Sequence, residues 1–261
     1  MSPGASPEPP DFLKAVVSPL FDAVRPWLGR LPADRPPTLE ELNALGAAVR
    51  FVAPTDSTDP YEIQIERSGE VPTRPGNWHD VFNALAWMTF PRTKAVLNRR
   101  HAEQIRLRGA AGPRGTARDV LSLFDEGGVI VTSVDPSLLE LLRTFEWQTL
   151  FWQRRGDVVH AMRFYVFGHA ILEKALEPYK AVTAKALLLD VPADFLDRSH
   201  QEQLEEADSR SAEWFARSAL DSTRSLSPLP VLGIPGWADN EHAAYYKDET
   251  VFRRGYSRAG A

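Results

Sequence analysis

The chain has no cysteine among its 261 residues. That excludes disulfides, zinc–thiolate sites, iron–sulfur clusters and a thiol nucleophile. It also fits a reducing compartment. No run of about 18 apolar residues occurs, so no transmembrane span is predicted. Met1 to Pro10 carries no Lys or Arg and no apolar stretch, which removes both parts of a secretory signal. This segment, residues 1–10, is expected to be a disordered tail, residues 11–261 a single domain, and the cytoplasm the compartment. The glycine fingerprints G-x-G-x-x-G and G-x-x-x-x-G-K-[ST] are missing, as are G-x-S-x-G and H-E-x-x-H. Nicotinamide, flavin and P-loop chemistry therefore have no support.

What is present is an ordinary globular balance, 43% hydrophobic and 25% charged, with seven Trp and 13 Phe to fill a core. The net charge of −5 conceals an uneven distribution. From Arg92 to Arg118 the basic residues Arg92, Lys94, Arg99, Arg100, Arg106, Arg108, Arg114 and Arg118 face a single acid, Glu103. Such a segment is either a local anion site or a solvated helix face. Arg92, Lys94, Arg99 and Arg100 are its candidate anion-binding residues, for an anionic small molecule or nucleic acid.

Local patterns predict an α+β fold, mostly helical, with a small antiparallel sheet. Pro19 and Pro26 break an apolar stretch, Phe12 to Leu28, into one or two short helices. Thr38 followed by Glu41 is a capping box. Tyr61 to Glu66 alternates apolar and polar, the pattern of a half-buried strand. Asn77 caps a helix ending near Phe90, where Pro91 stops it, and Thr93 to about Leu107 is a second. Gly109 to Gly115 is a flexible connection. Val120–Phe124, Asp125-Glu126-Gly127-Gly128 and Val129–Thr132 read as a hairpin near 120–133, since a tight turn draws on glycine's freedom to adopt positive φ. The same Asp125-Glu126 pair has a second reading, as metal-binding acids. Helices are expected from Asp135 or Ser137 to about Arg154, over Asp157 to Leu176, and from Asp194 to about Ser222. Ala186 to Asp190 is a buried strand, and Leu226 to Trp237 an extended tail. Strands scattered among helices, without β-α-β alternation, favour α+β over a doubly wound sheet.

Two helices in this reading are apolar nearly all round yet carry polar residues: His79, Asp80 and Asn83 on one, His169 and Glu173 on the other. His79 and Asn83 are four apart, as are His169 and Glu173, so each pair shares a face. An imidazole and a carboxylate at that spacing serve one metal ion, or pair as acid and orienting group. Packed together, His79, Asp80, His169 and Glu173 form a nitrogen–oxygen set suited to a divalent metal such as zinc, manganese or iron. Gly168 beside His169 permits close approach, and His101 is a further imidazole. A structural network of hydrogen-bonded polar groups is the competing reading.

Several separated motifs recur in order: Asn77-Trp78-His79-Asp80-Val81-Phe82-Asn83-Ala84, Phe90-Pro91-Arg92-Thr93-Lys94 with Leu97-Asn98, Leu123-Phe124-Asp125-Glu126, Val166 to Lys174, and Leu229 to Trp237. In these the chain resembles a bacterial family known as domain of unknown function 3025, over roughly Tyr61 to Phe252. The resemblance implies a bacterial protein and carries no activity, cofactor or catalytic residue. The residues themselves suggest a metal-assisted hydrolase acting on a phosphate-bearing substrate, or a non-catalytic module that docks an anionic partner through the basic segment.

Overall fold

The computed structural model describes residues 17–109 and 115–255. The expected tail over residues 1–10 and most of the Gly109–Gly115 connection lie outside the described residues. The architecture is α+β, with helices dominant. A 3-10 turn at Pro19–Phe21 precedes α1 (Arg25–Leu28) and α2 (Leu39–Ala44). The capping box of α2 forms as its sequence dictates: Thr38 Oγ1 accepts from Glu41 N, and the Glu41 carboxylate accepts from Thr38 N. Strand β1 (Arg50–Val52), helix α3 (Tyr61–Ser68) and strand β2 (Glu70–Pro72) follow, with β1 and β2 paired in parallel.

Next come α4 (Trp78–Thr89), α5 (Pro91–Arg108), α6 (Thr116–Gly127), β3 (Gly128–Ser133), α7 (Pro136–Arg143), α8 (Arg155–Ala161), β4 (Met162–Val166), α9 (His169–Lys174), β5 (Thr183–Asp190), α10 (His200–Arg217) and β6 (Ser227–Pro230). The main sheet has the order β4-β3-β5-β6. Strand β3 runs antiparallel to β4 and parallel to β5, while β6 is antiparallel to β5. The sheet is thus mixed, not purely antiparallel. Every residue of β3 is buried, because both faces of the sheet are covered. Val129 and Val131 pack on one side with Leu138, Leu139 and Leu142 of α7 and with Phe151. Ile130 and Leu187 pack on the other with Phe124 of α6, Phe167, and Leu204 and Phe215 of α10.

Four local expectations are corrected. The hairpin near 120–133 is a helix followed by a strand: Val120, Leu121 and Phe124 bury one face of α6, and β3 begins at Gly128. Gly128 has φ −75 and ψ 144, so no positive-φ turn is formed there. Tyr61 to Glu66 is helical, because Pro60 opens α3 and Gly69, with φ 69, closes it. Over six residues a two-residue period and a helical one are hard to separate. Asp157 to Leu176 is not one helix but α8, β4 and α9; an aromatic-rich run, Met162 to Val166, pairs with β3 in its middle. The helix from Asp135 stops at Arg143, and the chain bends at Phe145, with φ 63, before a π-helical turn over Thr149–Gln153. The buried strand at Ala186 is present as β5. Among the described residues no helix is long and apolar enough to cross a membrane.

One long-range contact seats α5 on α10. Phe90 provides no side-chain cap for α5. Asp208 of α10 does this instead, its carboxylate accepting from Arg92 N (3.0 Å) and Thr93 N (2.8 Å), while Thr93 Oγ1 donates to the Asp208 carbonyl (3.0 Å). Thr93 and Asp208 are both buried, and the first amides of a helix need such an acceptor. Asp208→Ala is expected to destabilise the fold by about 2 kcal/mol in urea unfolding. Asp208→Asn, which keeps one acceptor, should lose less.

Candidate metal centre

The site lies where the first turn of α4, the end of α6 and the first turn of α9 meet. Asn77 caps α4, its Oδ1 accepting from Asp80 N at 3.0 Å, which places His79 in the first turn. Gly168 is the N-cap of α9, so His169 is its first residue. Phe167 N and Gly168 N both donate to the Gly128 carbonyl, at 3.0 and 2.9 Å. A Cβ on Gly168 would stand 2.4 Å from Gly128 N and 2.5 Å from the Glu126 carbonyl. The close approach expected of Gly168 is therefore real, and its partner is the α6–β3 junction.

That contact brings Glu126 to the histidines. Glu126 Oε2 lies 3.3 Å from His169 Nε2 and 3.9 Å from His79 Nε2. The imidazole rings are 4.5 Å apart between centroids, at 79°. One ligand atom from each of His79, Glu126 and His169 lies within 4.8 Å of the others. Ligands about 2.1 Å from a tetrahedral ion stand about 3.4 Å apart, so little movement would close these atoms around a metal. The hydrogen bond from His169, with both imidazole charges, holds the Glu126 carboxyl below the usual glutamate range against the effect of burial.

Glu173 takes a different part. Its Oε2 is 2.8 Å from His79 Nδ1, on the ring atom opposite the one that faces Glu126. It is thus placed to orient His79, as carboxylates behind metal-bound histidines do, rather than to ligate. His169 is 5% exposed, and its Nδ1 is buried with no hydrogen-bond partner.

Asp80 is turned away from the cluster. It accepts from Arg74 N, Nε and Nη2 at 2.7, 2.9 and 2.7 Å. Burial pushes its carboxyl up, but these bonds prevail and hold it below the ordinary aspartate range. His101 stands instead 3.8 Å from the Glu62 carboxylate. Asn83, one turn after His79, donates to Tyr61 Oη at 3.1 Å and accepts from Lys94 Nζ at 2.7 Å.

Among the described residues, several cations of the basic segment are engaged in internal contacts. Lys94 is buried and also bonds Asp125 Oδ1 at 2.6 Å. The Arg100 guanidinium donates to the carbonyls of Phe215, Ala216 and Ser218 at the end of α10. Arg99 lies 3.8 Å from Glu103, and Arg106 pairs with Glu66. Arg92 lines a depression of about 400 Å³ shared with Arg198, Glu202, Glu205 and Glu206, where acids outnumber bases.

Glu126 is the residue that the helical spacing rule missed. Its signal was the Asp125-Glu126 pair, for which the tight-turn reading competed with the metal-binding one. The two acids diverge: Asp125 points to Lys94 and Glu126 to the histidines. Burial pushes the Asp125 carboxyl up, but the Lys94 ammonium and the His169 and His101 imidazoles bring it below the usual range.

These features define an α+β protein with a two-histidine, one-carboxylate cluster at a junction of three helix ends. The model of the family described as "Protein of unknown function (DUF3025)" matches residues 49–256, and the chain belongs to that family. All the cluster residues fall inside that span. No curated protein and no solved structure matches the chain.

Gly168→Ala should cost about 2 kcal/mol or more in chemical denaturation, because the new methyl meets backbone rather than a movable side chain. Gly156→Ala, whose methyl meets nothing within 4 Å, should stay within about 0.5 kcal/mol of the parent.

Proposed function

We propose that the protein is a metal-assisted hydrolase whose single divalent ion is held by His79 Nε2, His169 Nε2 and the Glu126 carboxylate. The observation that carries the reading is the mutual spacing of those three ligand atoms, with the other nitrogen of His79 already engaged by Glu173. Two imidazoles and one carboxylate suit zinc and other first-row divalent ions and leave a coordination position for water. When bound, such an ion lowers the pKa of that water and polarises the bond to be cleaved.

The side chains have separate tasks. Glu126, with a side chain 53% exposed, faces solvent and supplies the negative ligand. Glu173 keeps the His79 ring in the tautomer that offers Nε2. His169 is the buried ligand, held in place by the Gly168–Gly128 contact. A phosphate-bearing substrate would meet the ion itself as its main electrophile, because Lys94 and Arg100 are committed to internal bonds. Arg74 is locked on Asp80, with a side chain 59% exposed.

The test is metal content of protein purified without chelators and then dialysed against zinc or manganese, measured by mass spectrometry. About one ion per chain is expected, lost in His79→Ala/His169→Ala and reduced in Glu126→Gln. Hydrolysis of a phosphate ester such as p-nitrophenyl phosphate should follow metal content and be abolished by a chelator. A folded wild type that takes up neither metal would refute the assignment.

A further inference from the structure

Three segments carry the ligands of the proposed centre, and each pair of segments needs a fixed separation. Helices α6 and α9 meet through backbone, where Phe167 N and Gly168 N donate to the Gly128 carbonyl. Helices α4 and α9 meet through Glu173, whose Oε2 lies 2.8 Å from His79 Nδ1. Between α4 and α6, His79 Nε2 approaches Glu126 Oε2 only to 3.9 Å, too long for a hydrogen bond. Helix α5 packs on both of them, whereas among the described residues α4 and α6 touch each other sparsely.

Helix α5 carries no ligand but supplies the missing tie. Lys94 Nζ bonds Asn83 Oδ1 on α4 at 2.7 Å and Asp125 Oδ1 on α6 at 2.6 Å. Asn83 stands one turn beyond His79, and Asp125 directly precedes Glu126. The Lys94 side chain is 5% exposed, and its ammonium lies 5.4 Å from the ring centroid of Trp87. A charge in such surroundings is costly unless paired, so both oxygens are held to it firmly. Asn83 is committed at both ends of its amide: Nδ2 donates to Tyr61 Oη at 3.1 Å, which leaves Oδ1 for Lys94. Helix α5 is itself seated on α10 through Thr93, the residue before Lys94.

We propose that Lys94 is a positioning residue of the metal centre, setting the separation of His79 and Glu126 by tying α4 to α6. The inference rests on the metal reading above and deepens it. Lys94 touches neither the ion nor a ligand; it acts through Asn83 on one side and Asp125 on the other. Cutting either arm lets α4 and α6 relax relative to each other, and a ligand set displaced by a fraction of an ångström binds its ion less well.

The experiment compares zinc affinity, by competition with a chromogenic chelator, in wild type, Asn83→Leu, the Lys94→Met/Asp125→Asn double variant and Tyr61→Phe. Asn83→Leu cuts the α4 arm and leaves the Lys94–Asp125 ion pair intact. The double variant removes the brace without leaving either charge unpaired, and provides a folded species should Asn83→Leu unfold. Tyr61→Phe is the control, because it removes the other bond of Asn83 and spares both arms of Lys94. Zinc affinity is expected to fall about 10-fold in Asn83→Leu and in the double variant. The visible absorption of the cobalt-loaded forms, which reports ligand geometry, should change in both. Tyr61→Phe should keep its zinc affinity within twofold and its cobalt spectrum unchanged. Folded Asn83→Leu and double variants that bind zinc within twofold of wild type would overturn the positioning role and leave the metal centre standing. An equal loss in Tyr61→Phe would reduce the effect to general loosening around α4 and overturn it too. A wild type that binds no zinc removes both readings together.

Discussion

Two amide groups donating to one carbonyl hold the centre of this molecule together. Phe167 N and Gly168 N both reach Gly128 O, and the approach is so close that no side chain fits at Gly168. Three elements end or begin within a few residues of that contact: α6 stops at Gly127, β3 starts at Gly128, and α9 starts at His169. Because β3 is buried throughout and sandwiched between helices, the contact is anchored to a rigid part of the core. Glu126 and His169 inherit that rigidity. A site assembled at the ends of packed elements is held more precisely than one carried on loops, and precision is what a three-atom metal ligand set needs.

Charge is managed by the same geometry. Asp125 and Glu126 are neighbours on α6 but serve opposite sides, one meeting a buried ammonium and the other two imidazoles. The segment from Arg92 to Arg118 looks in sequence like a basic face. Among the described residues several of its cations are engaged inside the fold: Lys94 in a buried pair, Arg100 on the carbonyls that end α10, Arg106 on α3. Arginine suits that work because its planar fork donates several hydrogen bonds at once. Local excess charge in a sequence therefore says little about surface potential until the partners are known.

The features legible in the sequence are those with short-range causes. The Thr38–Glu41 capping box and the Asn77 cap depend on a few neighbouring residues, and the strand at Ala186 on a short apolar run. Where tertiary partners decide, the sequence pattern misleads. Met162 to Val166 is apolar enough to suit a buried helix or a buried strand, and only pairing with β3 settles which. Val120 to Phe124 precedes two glycines and mimics a hairpin arm, yet α6 needs that face for the core. Of the site, His79, His169 and Glu173 were visible as polar residues on apolar segments. Asp80 was drawn off by Arg74, which no helical spacing rule foresees, and Glu126 required a contact 43 residues along the chain to His169 (169 − 126, counted on the sequence).

The competing account of the cluster is a structural ion-pair network without a metal, and the exposure of its acids bears on what such a network would contribute. The Glu126 and Glu173 side chains are 53% and 46% exposed. Pairs open to water to that degree contribute at most about 1 kcal/mol each to stability, and often nothing measurable. A network there would do little for a core already closed by the Phe124, Phe167 and Phe215 rings. Exposure has the opposite meaning for a metal centre, where an open coordination position is a requirement of catalysis. The two states also compete for the same atoms, since an imidazole must be neutral to ligate and protonated to form an ion pair. One buried histidine, one half-exposed histidine and two accessible carboxylates are a weak scaffold for stability. On the proposed hydrolase reading, they would suit an ion that meets a substrate.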